Sequence, residues 1–285
     1  MTKYKYIICF LGLFFVIILS CDKIEEPFIE YNGQCGDASL PVPIKQILIE
    51  EYTGHECGNC PRGDEEMELL KSLYCDHIIP VSIHAGFFAD VNSSGKYTYD
   101  YRTQTGNELD EYFNASVSVP AALINRKQTG GDYTYSYTQW AGIVEEMLQE
   151  KPVMDINLEL SYNISSRVMT ADIDVVFIVS MNENLMLSVY FVEDSLKSWQ
   201  KDYSLPTGQQ DIEFYSHNHV LRDAVNSVWG ESIVNGQVDA NDVKSKTYDY
   251  TINSEWVIEN SSVVAFVYKS DTKEILQATQ EYFVP

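Results

Sequence analysis

The sequence predicts an α/β domain over residues 44–150 followed by an all-β antiparallel domain over residues 151–285. Three patterns carry that expectation. Ile47-Leu48-Ile49 is a short unbroken apolar run, as in a strand buried on both faces of a parallel or mixed sheet. Met67, Leu69, Leu70 and Leu73 then supply the apolar positions of a helix, and a second apolar strand runs from His77 to His84. After Lys151-Pro152 the period changes to two, with Ile156, Leu158 and Leu160 on one face and Asn157 and Glu159 opposite.

At the N-terminus, Lys3 and Lys5 precede an apolar run from Ile7 to Leu19, shorter than the ~20 residues a bilayer crossing needs. A positive start before such a run is the pattern of a secretory signal. Ile18-Leu19-Ser20-Cys21 resembles the lipobox of bacterial lipoproteins. That resemblance implies removal of residues 1–20 and lipidation of Cys21; an uncleaved anchor is the alternative. Residues 21–43 read as a tether, beginning Asp22, Lys23, Ile24, Glu25, Glu26, Pro27. The acids just after Cys21 resemble the surface-export signal of Bacteroidetes lipoproteins, which implies the outer membrane and its outer face.

Acids outnumber bases 42 to 19, for a formal charge of −23. So acidic a surface repels nucleic acid and anionic membrane, leaving the lipid anchor as the membrane contact. Cys35, Cys57, Cys60 and Cys75 remain after the signal and the anchor. An even number of thiols in an exported chain points to disulfides. Of the three possible pairings, Cys57–Cys60 with Cys35–Cys75 is favoured, because only Cys57 and Cys60 bracket a two-residue loop.

In the first domain, Ile44 to Tyr52 is the opening strand, and Thr53-Gly54-His55-Glu56 turns the chain into Cys57. The Cys57-Gly58-Asn59-Cys60 motif thus lies between a buried strand and a helix start, where backbone N–H groups and the helix dipole favour a thiolate. Glu51 to Pro61 resembles the active-site strand and turn of thioredoxin-like proteins. Ser118 to Arg126 resembles the segment where that fold carries a cis-proline, here Pro120. Helices are expected over Asn107–Asn114 and Tyr137–Gln149, with a loop over Gly86–Thr105.

Further marks narrow the resemblance: Thr53-Gly54-His55 before the Cys pair and Pro61, His84-Ala85-Gly86, Val119-Pro120 before Ile124-Asn125-Arg126, His217 to Arg222, and Val263 to Val267. Together they resemble the outer-membrane protein 28 related lipoproteins of Bacteroidetes. The thioredoxin likeness implies Cys57 as nucleophile, Cys60 as resolving thiol and Glu51 as the buried acid that moves its proton, with Pro120 facing the pair. Two features point instead to a permanent staple. Glu56 puts a negative charge beside Cys57, which raises a thiol pKa. Pro61 places a residue without an N–H in the first helical turn. Metal at the pair, aided by His55 or His84, is a third option that lacks a second CxxC.

In the second half, strands are expected over Asp155–Tyr162, Val168–Val179, Leu185–Val192, Glu213–Val220, Lys246–Ile252, Val263–Tyr268 and Ile275–Val284, with Met181-Asn182-Glu183-Asn184 as a turn. The alternation predicts an immunoglobulin-like sandwich. His217 and His219, two apart on one expected strand, would share a face that could hold a metal or form a polar strand face, with Arg222 paired to an acid such as Asp223 or Glu231. Asp239, Asn241 and Asp242 lack the glycine and spacing of a calcium loop. No motif demands a cofactor or a metal. Two function classes follow: thiol–disulfide exchange on exported proteins, or binding of a surface ligand with the Cys pair as a structural disulfide.

Overall fold

The computed structural model describes residues 43–283. The expected signal peptide, the expected lipidation site Cys21, residues 21–42 of the expected tether and Cys35 lie outside the described residues. In chain order the strands are β1 Ile47–Thr53, β2 Ile78–His84, β3 Ala121–Ile124, β4 Thr134–Ser136, β5 Met154–Asn163, β6 Val168–Phe177 and β7 Met181–Glu193. They continue as β8 Leu196–Lys201, β9 Asp211–His217, β10 Val220–Ala224, β11 Glu231–Val238, β12 Val243–Thr251, β13 Ser261–Lys269 and β14 Ile275–Tyr282. The helices are α1 Cys60–Tyr74, α2 Gln104–Phe113 and α3 Trp140–Met147.

β1 and β2 are buried at every position and run parallel, in register from Ile47↔Ile78 to Thr53↔His84, joined through α1. β3 pairs antiparallel with β1, and β4 with β3. This order of strand, Cys pair, helix, strand, proline-led strand and helix resembles a thioredoxin fold. Pro61 costs α1 no hydrogen bond, because it sits where helical N–H groups lack intrahelical partners anyway. Thr103 caps α2 by accepting from the Gly106 N–H at 2.8 Å, and Asn114 ends it in the left-handed region.

The sheet does not stop at residue 150. Its nine strands run β14-β13-β7-β10-β2-β1-β3-β4, with β11 also on β7. β10 joins β2 in parallel at Val220↔Ser82, where the Ser82 N–H donates to the His219 carbonyl at 2.6 Å. A three-stranded sheet, β12-β6-β5, shares one apolar core with the large sheet. Met154, Ile173, Val175 and Phe177 pack there with Leu187, Phe191, Val263 and Ala265.

Two expectations fail, and a third finds a different partner. Met181–Asn184 is strand rather than turn, because its backbone pairs with Asn235–Val238 of β11. The expected strand Glu213–Val220 breaks where His219 takes φ 58°, so His217 ends β9 and His219 precedes β10. The two histidines therefore point into different surroundings. Arg222 meets Glu193 at 3.3 Å, while Asp223 accepts from Tyr250 and Glu231 pairs with Lys246.

Candidate functional site

The turn after β1 is built on backbone contacts that a side chain at residue 54 would destroy. A Cβ on Gly54 would come within 2.4 Å of the Phe88 backbone. The Cys57 N–H donates to the Gly54 carbonyl at 2.9 Å, and the Glu56 N–H to the Phe88 carbonyl at 3.0 Å. Cys57 and Cys60 are joined in a disulfide with Cα atoms 5.4 Å apart. The Val119–Pro120 bond is cis, and Cys57 Sγ lies 3.9 Å from the Val119 carbonyl oxygen. Cys60 is wholly buried and Cys57 only 3% exposed. Cys75 stands at the C-cap of α1; the Cys35 half of the expected second pair lies outside the described residues.

The cover over Cys57 comes from the β8–β9 hairpin. The Lys201 N–H donates to the His55 carbonyl at 2.8 Å and the Tyr203 N–H to the Gly58 carbonyl at 2.7 Å. Gln200, itself buried, donates through Nε2 to the Cys57 carbonyl at 3.0 Å. The Tyr203 ring lies so close on Gly58 that a Cβ there would meet it at 2.4 Å. Lys96 holds Asp211, at the start of β9, at 2.7 Å, and Tyr97 donates to the same carboxylate. The loop 86–105 and the hairpin thus clamp the Cys turn between them.

Beneath this clamp, His55, His84 and His217 gather around Tyr101. Ring centroids lie 4.5 Å from Tyr101 to His84 and 4.4 Å to His217. His55 Nε2 donates to the Asp90 carbonyl at 2.8 Å. Burial, then the neighbouring His217, holds His84 well below the usual imidazole range, and burial pushes His217 down to about 3. These are neutral rings. Among the described residues no three His, Cys, Asp or Glu donors are arranged to hold a metal.

On the other side of α1's first turn lies a cavity of about 320 Å³ lined by Glu51, Asp64, Glu65, Glu68, Tyr215 and His219, among others. Glu51 is wholly buried and neither carboxylate oxygen has a hydrogen-bond partner. Burial, then the charge of Asp64, raises its pKa well above the carboxylate range. Gly63 makes room for it: a Cβ there would stand 2.3 Å from Glu51 Oε1 and 2.8 Å from Pro120 Cβ. Tyr215 donates to Asp64 at 2.5 Å, and burial pushes Asp64 up to about 6. His219 sits 3.2 Å from Glu68 and 3.0 Å from Asp194; burial opposes its charge, but those two carboxylates outweigh it and raise its pKa.

The structure therefore brings Cys57, Cys60 and Pro120 together, with Glu51 against Gly63 of the same helix. Spacing along the chain did not reveal the hairpin cover or Tyr215 and His219 in the cavity. Both arrive from about 150 residues downstream, and only the turn signals flanking β8 and β9 hint at a hairpin.

A family model described as outer membrane protein Omp28 matches residues 106–283. Among solved structures, HBP35 of Porphyromonas gingivalis superposes with a TM-score of 0.59 at 16% identity, covering 84% of this chain and 75% of that one. A protein of Agrobacterium tumefaciens gives 0.50 at 13% identity, covering 84% and 95%. A domain of the outer membrane lipoprotein Omp28 from Porphyromonas gingivalis is 25% identical over 47% of this chain and 97% of that one, with a TM-score of 0.33. Against curated protein sequences the chain finds no match.

Proposed function

The chain belongs to the Omp28 family of outer membrane proteins, and from that premise we propose that it is a lipid-anchored, surface-exposed binding protein whose Cys57–Cys60 bond is structural. The description of the matching family supports the outer-membrane placement, and the lipobox-like Ile18–Cys21 supports the anchor. In this reading residues 44–150 are scaffold. Residues 151–285, read as an immunoglobulin-like sandwich, carry much of the exposed surface that meets the ligand.

One observation carries the proposal: Cys57, the thiol that must be reached for exchange, is 3% exposed under a hairpin hydrogen-bonded to the Cys turn itself. A nucleophile needs access as well as a low pKa. The test is equilibration of the whole chain with glutathione followed by thiol trapping. A potential below about −300 mV, with no alkylation of Cys57 in the native protein, is expected of a staple. A potential between about −120 and −270 mV would overturn this reading.

The second reading is thiol–disulfide exchange on exported proteins, favoured by the Val119-Pro120 segment, whose carbonyl lies 3.9 Å from Cys57 Sγ, and by the buried acid Glu51. With the pair first reduced to the dithiol by an external dithiol donor, Cys57 thiolate would attack a client disulfide, releasing one client thiolate, and Cys60 would then attack Cys57 Sγ and release the second, leaving the Cys57–Cys60 disulfide and a reduced client. That reading requires the β8–β9 hairpin to leave the Cys turn, so a Gln200→Ala, Tyr203→Ala variant should gain exchange activity if it is right.

A further inference from the structure

Among the described buried groups that lack a hydrogen-bond partner, Glu51 stands out as the carboxyl with both oxygens unpaired. A wholly buried carboxyl with both oxygens unpartnered is uncommon in folded proteins and calls for a cause. The cause is not lack of space, because Glu51 lines a cavity of about 320 Å³, within the range of small-ligand pockets, which starts near ~300 Å³. Nor is the cavity's charge balanced from within. Asp64, Glu65 and Glu68 join Glu51 on its wall, and the one cationic group among the described lining residues, His219, is already held between Glu68 and Asp194. Asp64 has Tyr215 for one oxygen, and the Tyr215 ring and the Met67 side chain give the same wall an apolar part.

We propose that this cavity binds a primary ammonium group on an aliphatic stem, either a lysine side chain of an extended peptide or a free alkyl diamine, with Glu51 and Asp64 receiving the ammonium. An ammonium brings three N–H donors and a charge, which satisfies the unpartnered oxygens and removes the repulsion between the two carboxylates at once. The methylene stem lies along Met67 and the Tyr215 ring, as long cationic side chains lie on apolar surface elsewhere. A metal ion fits less well, since no three donors among the described residues converge as coordination requires. The groups facing Glu51 and Asp64 from α1, β9 and the segment before β10 are Glu65, Glu68, Tyr215 and His219. With Asp64 pushed up to about 6 by burial and Glu51 raised well above the carboxylate range, amine binding must release protons and weaken as pH falls. The cavity is a site additional to the surface of residues 151–285, lined from both halves of the chain, and it stands apart from whether Cys57 turns over.

Calorimetric titration of the whole chain tests this, with 1,5-diaminopentane and a short lysyl peptide as probes and 1-pentanol as the uncharged control. Saturable binding of either amine is expected, tighter at about pH 8 than at about pH 5 and accompanied by proton release. Binding of the peptide alone identifies a protein side chain as the source, and binding of the diamine alone a free amine. Glu51→Gln and Asp64→Asn should each weaken binding roughly tenfold or more, since each removes a charged acceptor. If Glu51→Gln fails to fold, Asp64→Asn carries the comparison from its half-buried position. Saturation by neither amine, equal affinity for 1-pentanol, undiminished binding in the variants, or tightening on acidification would each overturn the proposal. None of these readouts involves Cys57, so failure here and failure of the structural-disulfide reading are separable.

Discussion

Glu50 and Glu51 are neighbours on β1, both wholly buried, and their circumstances are opposite. Strand geometry sends consecutive side chains to opposite faces. Glu50 meets the Arg126 guanidinium in a bidentate pair, at 2.7 and 2.6 Å, and Arg126 also donates to Tyr190 at 3.1 Å. The rings of Phe113, Phe266 and Tyr268 surround that guanidinium at 5.1 to 5.5 Å. Glu51 faces the cavity and has no partner. One face of the strand is locked by a charge pair; the other keeps an unspent acceptor. Burial alone does not tell a structural carboxylate from an available one. The partner does.

The largest test of that contrast is Arg126→Met. It strands Glu50 as an unpaired buried charge and should cost about 3–5 kcal/mol in urea melts. Adding Glu50→Gln should recover much of the loss. Little recovery would mean that Arg126 acts mainly through its ring contacts.

Acid extends the comparison to other buried groups with an unpartnered polar atom. His84 and His217 are held neutral in the fold, while the unfolded chain protonates them near 6.5. A depressed histidine stabilises above its unfolded pKa, and that stability drains as pH falls toward the folded value, about 3 for His217. Each such ring should remove up to ~1.4 kcal/mol per pH unit below about 6.5, measured by denaturant melts at stepped pH. Replacing His217 with Phe should flatten the slope.

A smaller effect is expected of Gly63→Ala, whose methyl would press on Glu51 and Pro120. A loss of about 1–3 kcal/mol is expected, as for other overpacked sites. Shortening the acid in a Glu51→Asp background should return part of it. The smallest effect sharpens the contrast most. Glu51→Gln should leave stability unchanged or raise it at alkaline pH. Its raised folded pKa means the native state is disfavoured as pH climbs above the ordinary value of 4.5, and Gln removes that burden. A large loss would show that Glu51 has a structural partner after all.

Much of this arrangement could be read from local pattern. The buried runs of β1 and β2, the Cys pair at a helix start and the Pro120 segment depend on neighbours close in sequence. Ile124-Asn125-Arg126 is visible as a motif but not as a device. Asn125, at φ 45°, exchanges hydrogen bonds with the Leu48 backbone and turns Arg126 inward toward Glu50. β8 and β11 escape notice because their half-exposed, polar residues lack an apolar stripe. Met181–Asn184 carries turn-like residues yet extends β7, because β11 supplies a partner the local sequence does not announce. The cavity is unreadable for the same reason: α1 provides one wall, and Tyr215 and His219 the other.

The position of β10 has a temporal consequence. β2 gains its outer neighbour only at Val220, and Arg126 finds Tyr190 and Tyr268 far along the chain. As residues emerge in order, the first half must wait with an open sheet edge and an unshielded Glu50–Arg126 pair. Contacts of such long sequence separation slow folding. Were the chain exported as its signal-like N-terminus implies, that delay would be useful, because a polypeptide that cannot complete its sheet until its last third has appeared stays threadable until translocation is nearly over.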